Sequence, residues 1–408
     1  MKKVRITGVA WTALVTVALL ASMASQAASM PVENGTEPKG DASTMTTADN
    51  AVDTANAVPP KGKRYTSDRP RQIVAYTGYG NGEYLWVRGR VLANKTIRAA
   101  SDDDSWWDNI RASFQRWETD EIEGVWVELS YGDERKFVQT DDEGYYSAQF
   151  AVVDAEQSQQ NVTARVETRK GDIEAVHEVL VADPAARFMI ISDMDDTVIH
   201  TGITRKLLAA RLTFFGNART RKPLDGVADL YRELVDGSDG TARNPVFYVS
   251  NSGWNMYDVL DEFLELNKIP PGPLLLRDLG NVGKRSTKNH KAQTFRRLLE
   301  RFPTLPAVLI GDSGQHDAAL YAELAREFPD RVLGIYIRDV DPFEDSDYDA
   351  AVDAIINDGT ASGVPMVRGE NSDAFAQHMR SIGLLSPSEE RQIAKGVERE
   401  QAEDTFWE

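Results

Sequence analysis

The sequence predicts an α/β protein, a doubly wound parallel sheet preceded by a small β-sandwich. Three observations carry that expectation. From Arg187 onward, short and wholly apolar runs alternate with helical patterns. Between Arg71 and Asp183 the runs are shorter, alternate in polarity and are parted by glycines. The chain has 408 residues, 41% of them hydrophobic, and no cysteine, so its core rather than disulfides must hold it together.

The first 27 residues have the form of an export signal. Lys2, Lys3 and Arg5 supply positive charge, Gly8 to Leu20 is apolar, and Ser25-Gln26-Ala27 fits a cleavage site. The expected destination is therefore the periplasm or the medium. Residues 28–68 are rich in Ala, Thr, Asn, Asp, Pro and Gly, a composition that reads as a disordered linker.

Residues 69–184 are expected to form the sandwich-like domain. Ile73-Val74-Ala75-Tyr76 and Tyr84-Leu85-Trp86-Val87 flank Gly78, Gly80 and Gly82. Val125, Val127 and Leu129 alternate with Trp126, Glu128 and Ser130, and Thr163 to Val181 reads as a hairpin around Lys170-Gly171-Asp172.

Residues 185–365 are expected to form the second domain. Phe188-Met189-Ile190-Ile191, Val246-Phe247-Tyr248-Val249, Leu274-Leu275-Leu276, Ala307-Val308-Leu309-Ile310 and Val332 to Ile337 are continuous apolar runs. Such runs suit strands buried on both faces. Helical patterns lie over 225–235, 254–266, 290–302 and 318–328, with Tyr257, Leu260, Phe263 and Leu264 on one face of the second. The tail, 366–408, reads as helical, and Ser386-Pro387-Ser388-Glu389 has the form of a capping box.

In a doubly wound sheet, ligands meet the carboxyl ends of the strands. Asp193-Met194-Asp195 follows the first apolar run of the second domain and sets two carboxylates two residues apart. One can attack phosphorus while the other moves protons, which assigns Asp193 as nucleophile and Asp195 as acid and base. Ser250-Asn251-Ser252 follows the next run and offers a hydroxyl and backbone N–H groups to a phosphoryl oxygen. Lys291, with Lys288 as rival, would neutralise that oxygen's charge. Asp312, after Val308-Leu309-Ile310, joins Asp193 and the Asp195 carbonyl as an oxygen set suited to Mg2+, with Asp317 as a further ligand or support. His316 is not assigned as a ligand, because carboxylates are at hand.

The order nucleophile, serine, lysine, acidic loop resembles the haloacid dehalogenase superfamily. Tyr248 to Asn255, Leu274 to Asp278, His290-Lys291 and Leu309 to Gln315 are similar to the catalytic domain of actin-patch-type phosphatidate phosphatases. The likeness covers about residues 187–340. It implies a haloacid dehalogenase-like fold and a Mg2+-dependent hydrolase acting through an aspartyl-phosphate. It puts the nucleophile on Asp193, the acid and base on Asp195, phosphate binding on Ser250 and Lys291 and the metal acid on Asp312. With the residue reading above, the catalytic set is Asp193, Asp195, Ser250 and Lys291 and the metal set Asp193, Asp195, Asp312 and Asp317. The implied reaction takes phosphatidate to diacylglycerol and phosphate, a step of lipid metabolism. Gly253 stands where such proteins often carry proline.

Two alternatives stand beside this reading, a phosphatase on soluble phosphomonoesters and a non-enzymatic envelope module. Between Val198 and Leu224 there is no acid, while Arg205, Lys206, Arg211, Arg219, Arg221 and Lys222 alternate with Leu and Phe. On a chain of net charge -18, residues 205–222 are thus a local basic and apolar segment suited to an anionic membrane surface. The overall charge opposes a general nucleic-acid binder. Trp106, Trp107 and Trp117, and the acidic run Asp339 to Asp358, read as packing and solvated surface.

Overall fold

The computed structural model describes residues 72–93, 122–154, 157–168, 170–194, 225–278, 289–312, 317–339, 353–356 and 363–407. All of them lie in the larger of two units, Thr47–Glu408; the other, Met1–Thr46, lies outside the described residues. So do the export signal, the linker, Trp106, Trp107, Trp117, the basic segment 205–222 and most of the acidic run.

The N-terminal sheet has eight strands: β1 (Gln72–Ala75), β2 (Gly78–Gly80), β3 (Tyr84–Leu92), β4 (Trp126–Tyr131), β5 (Glu134–Gln139), β6 (Tyr145–Ala151), β7 (Gln159–Val166) and β8 (Ile173–Val181). They form one mixed sheet. The long β3 pairs with β1 and β2 along one edge and with β6 along the other. The order continues through β8, β7, β4 and β5, and only the β2–β8 pairing is parallel. The expected alternation is present in β4, where Val127 and Leu129 are buried between half-buried neighbours. Leu85, Leu129, Phe150 and Val162 fill the core beneath this sheet.

The second sheet is parallel throughout. It contains β9 (Met189–Asp193), β10 (Val246–Gly253), β11 (Leu274–Arg277), β12 (Ala307–Asp312), β13 (Val332–Arg338) and β14 (Met366–Gly369), in the order β11-β10-β9-β12-β13-β14. Every residue of β12 is buried, as expected of a strand covered on both faces. The sheet continues into the segment read as a helical tail, because Met366 opens a strand rather than a helix.

The helices are α1 (Val227–Val235), a single 3-10 turn (Trp254–Met256) leading into α2 (Tyr257–Leu266), α3 (His290–Arg301), α4 (Asp317–Glu327), α5 (Ser372–Ser381) and α6 (Pro387–Trp407). One face of the sheet packs a cluster containing Ile190, Leu230, Tyr248, Val308, Phe375 and Ile393. The other packs Ile191, Phe247, Phe295, Leu309 and Tyr321. Phe263, expected on the inner face of α2, is 37% exposed, while Leu264 beside it is buried.

The N-terminal sheet sends aromatic residues into both of these clusters. Tyr76 lies 4.4 Å from Trp254 and 4.7 Å from Tyr257, measured between ring centroids. Tyr257 in turn accepts from the Thr77 N–H at 3.0 Å. On the other face Tyr79 meets Phe247 edge-on at 5.5 Å, and the Arg301 guanidinium lies 4.5 Å over Trp86. Such contacts contribute about 0.5–1.5 kcal/mol per aromatic pair beyond area burial, and polar contacts such as Arg88 with Asp278 add to them in joining the two sheets.

At the C-terminal end, the capping box forms as read. Ser386 N–H donates to Glu389 Oε2 at 2.6 Å, and Glu389 N–H donates to Ser386 Oγ at 3.3 Å. The helix α6 then crosses the start of α1. Glu400 accepts from the Gly226 N–H at 2.9 Å, and Arg399 pairs with Asp229 at 2.8 Å. Gly396 is required there, since a Cβ would collide with the Asp229 carboxylate.

Candidate active site

The strand β9 is central, flanked by β10 and β12. Asp193 is its last residue and stands opposite Val249 of β10. Ser192 stands opposite Ile310, so Asp312 ends β12 just beyond the level of Asp193. The nucleophile assigned from sequence and the acid assigned to the metal thus share the carboxyl edge of the sheet.

Lys291 and Asp317 reach the same point from the other direction, each in the first turn of a helix. Lys291 Nζ lies 2.8 Å from Asp193 Oδ1 and 3.1 Å from Asp317 Oδ1. An acid at a helix N-terminus is favourable, but a cation there opposes the helix dipole. Lys291 is also buried, and a buried ammonium needs anionic partners. Its two carboxylates meet both costs and hold Lys291 inward. Lys288 lies outside the described residues.

Asp193, Asp312 and Asp317 each offer an oxygen within 4.8 Å of the others. Among the described residues the cluster is three carboxylates, a hard ligand set suited to a cation such as Mg2+. Asp317 Oδ2 is buried and meets no hydrogen-bond donor among the described residues, the condition of a ligand oxygen. Burial, and then the charge of Asp193, hold the Asp317 carboxyl well above the usual carboxylate range, with Lys291 pulling the other way. The donor set therefore fits a divalent ion.

Ser250 is fully buried in β10, and its Oγ accepts from the Ser252 N–H at 2.9 Å. The β10–β11 register shifts between Val249 and Gly253, the stretch that contains Ser250, Asn251 and Ser252. Gly253 sits at φ -75°, a value proline also adopts, so its difference from the resembled pattern leaves the backbone path open to either residue. Asp195 and the Ser313 to His316 loop lie outside the described residues.

Several supporting residues escape sequence reasoning. Tyr321, one turn after Asp317, donates to the Ile310 carbonyl at 3.2 Å and packs on Phe295 of α3 at 5.1 Å. The i,i+4 spacing from Asp317 was the available signal. Arg296 pairs with Glu323 at 2.8 Å and Glu327 at 2.7 Å, tying α3 to α4 on the outside. Gly311 makes room for the cluster, because a Cβ would stand 2.8 Å from Asp317 Oδ2 and 2.7 Å from Tyr321 Cε2. Tyr231 bonds the Ser192 hydroxyl beside Asp193, and nothing local in the sequence announces it.

Residues 188–339 match the family model described as phosphatidate phosphatase APP1, catalytic domain. This segment is similar to that family of catalytic domains. Two relatives agree with it. The phosphatidate phosphatase APP1 of Saccharomyces cerevisiae is 34% identical over 175 residues, 41% of this chain and 29% of that protein. An uncharacterized protein of Schizosaccharomyces pombe is 35% identical over 158 residues, 37% of this chain and 25% of that one. The chain thus spans less than a third of the length of these relatives. The matched segment contains the five described candidate site residues, Asp193, Ser250, Lys291, Asp312 and Asp317. Among solved structures, a calcium-binding mutant of Bacteroides uniformis beta-glucuronidase 2 is 9% identical. It covers 77% of this chain and 45% of that one at a TM-score of 0.26, a level at which the likeness bears on nothing.

Proposed function

We propose that this chain is a Mg2+-dependent phosphatidate phosphatase that forms an aspartyl-phosphate on Asp193. The observation that carries the reading is the buried Lys291 held between Asp193 and Asp317, with Asp312 in the same oxygen cluster, inside the APP1-type segment. The reading extends to a haloacid dehalogenase-like fold for the parallel-sheet part and a sandwich-like role for the N-terminal sheet. It also includes export through residues 1–27 and peripheral membrane contact through residues 205–222.

A bound Mg2+, held by Asp193, Asp312 and the Asp195 carbonyl with Asp317 in support, would supply positive charge that lets a carboxylate and a phosphate meet. Asp193 attacks phosphorus, and the P–O bond to the glycerol oxygen breaks. Asp195 gives that oxygen a proton, so diacylglycerol leaves as a neutral alcohol. Water then attacks the phosphorylated Asp193, Asp195 takes back a proton, and phosphate departs. Ser250 and its neighbouring N–H groups hold one phosphoryl oxygen, and the Lys291 ammonium another.

The test uses the chain from Ala28, with release of phosphate from short-chain phosphatidate and from a soluble aryl phosphate, with and without Mg2+. Asp193→Asn is expected to lower release at least about a thousandfold without unfolding the protein. Release from the aryl phosphate alone would replace the lipid with soluble phosphomonoesters. Release from neither would favour the non-enzymatic envelope module.

A further inference from the structure

We propose that the N-terminal sheet sets the geometry of the phosphate-binding strand end through Arg88, a positioning residue for the Ser250–Ser252 stretch. The kinetic part of this inference rests on the phosphatase reading above; the structural part does not.

Arg88 belongs to β3, yet two of its contacts, Trp254 and Asp278, are with residues that follow β10 and β11. Its guanidinium lies 5.2 Å over the Trp254 ring and 4.6 Å over Tyr145, and its Nη2 lies 3.2 Å from Asp278 Oδ2. Trp254 comes directly after β10, and Asp278 directly after β11. Both therefore stand at the carboxyl edge where the site is built. A planar cation stacked on two rings and paired at its tip has little freedom to turn, so it fixes whatever it touches.

What it touches needs fixing. Tyr248 and Val249 pair in regular register with Leu274 and Leu275, but the next matched pair is Gly253 with Arg277. Four residues of β10 thus run beside two of β11, and the excess length is the stretch that carries Ser250, Asn251 and Ser252. A bulged stretch lacks an even ladder along that edge, and its shape depends on how its far end is anchored. Arg88 joins the residue after the bulge to the residue after the partner strand. Tyr76, 4.4 Å from Trp254, completes the anchor from the same sheet. The turn-like hydrogen bond from Ser252 N–H to Ser250 Oγ is then held at one end by β9 and at the other by the N-terminal sheet.

The rest of the sheet–sheet contact provides an internal control. Arg301 stacks on Trp86 at 4.5 Å and bonds Tyr79, joining the same two sheets at the far end of α3 from Lys291. Loosening the interface there should not reshape the bulge.

The experiment compares the full chain with Arg88→Ala, Arg88→Lys and Arg301→Ala by hydrogen–deuterium exchange at the amides of residues 250–256, and by phosphate release. Exchange at those amides is expected to rise at least about fivefold in Arg88→Ala, less in Arg88→Lys, and not at all in Arg301→Ala. In the same variants kcat should fall about tenfold for Arg88→Ala with KM within about twofold, and stay unchanged for Arg301→Ala. Should Arg88→Ala fail to fold, Arg88→Lys and Asp278→Asn read the same amides. Wild-type exchange and kcat in folded Arg88 variants would overturn the inference. So would an equal effect from Arg301→Ala, which would mean general loosening. A wild-type chain that releases no phosphate would remove the phosphatase reading, and the exchange data would still decide the role of Arg88.

Discussion

The two sheets solve the same burial problem in different ways. In β4 of the N-terminal sheet, buried and half-buried residues alternate, so one face meets the core and the other faces outward. In β12 of the parallel sheet all six residues are buried, because helices cover both faces. The first sheet can spend side chains on cross-strand ion pairs, such as Arg165 with Asp172 and Glu174. In the second, β9, β12 and β13 carry charge only where they end, at Asp193, Asp312 and Arg338. Buried charge in each sheet follows the same logic. The parallel sheet buries ions and neutralises them with one another at Lys291. The N-terminal sheet buries a titratable group and keeps it neutral. His177 accepts from Tyr146 OH at Nε2 and faces the Tyr76 carbonyl with Nδ1, both at 2.9 Å, so Nδ1 carries the proton.

The sharpest way to break this comparison is to ask whether the sheets unfold together. Leu129, buried in the N-terminal core, should cost about 3 kcal/mol when changed to Ala. Because aromatic residues from this sheet sit in the clusters of the other, one thermal transition should shift as a whole. Two separated transitions in scanning calorimetry would make the sheets independent domains.

Acid comes next. Burial lowers the His177 pKa from 6.5 to about 4. Between those values the unfolded chain binds a proton that the folded chain refuses. The stability this group supports is complete above pH 6.5, falls as pH drops through the window, and is lost by about 3 kcal/mol below pH 4. Urea unfolding at pH 7 and pH 4.5 should show that loss shrink in His177→Gln. An unchanged slope would assign the acid sensitivity to other groups.

Gly311→Ala sharpens the other half. The added Cβ would press on Asp317 Oδ2 and Tyr321 and push the carboxylate off its place. Affinity for Mg2+, read from the rise in Tm across a Mg2+ titration, should weaken about tenfold. The smallest effect expected is Ser386→Ala, which removes the cap of α6 at about 1 kcal/mol, measured by chemical denaturation.

Much of the parallel sheet was legible because its strands are continuous apolar runs and its chemistry follows them directly. Ile190-Ile191 leads to Asp193, and Leu309-Ile310 to Asp312, so the ends of two adjacent strands could be read in a line. The N-terminal sheet was less legible because it contradicts hydropathy at single positions. In β8, Val176 is 55% exposed while His177 is fully buried. The register that places Val179 and Val181 inward carries His177 with them, and Tyr146 with the Tyr76 carbonyl makes that tolerable. Contacts between the sheets were the least legible. Nothing near Arg88 announces Trp254 or Asp278, which lie far along the chain and meet it only when both sheets have formed.

The clasp between α6 and α1 bears on the order of events during folding. Phe375, Met379 and Ile393, all from the last two helices, complete the cluster that also holds Ile190 and Tyr248. One face of the central strands, partly covered by Leu230 and Leu234 of α1, is therefore completed only by these later helices. Closing this core therefore joins residues far apart in the chain, a long-range step of the kind that slows folding.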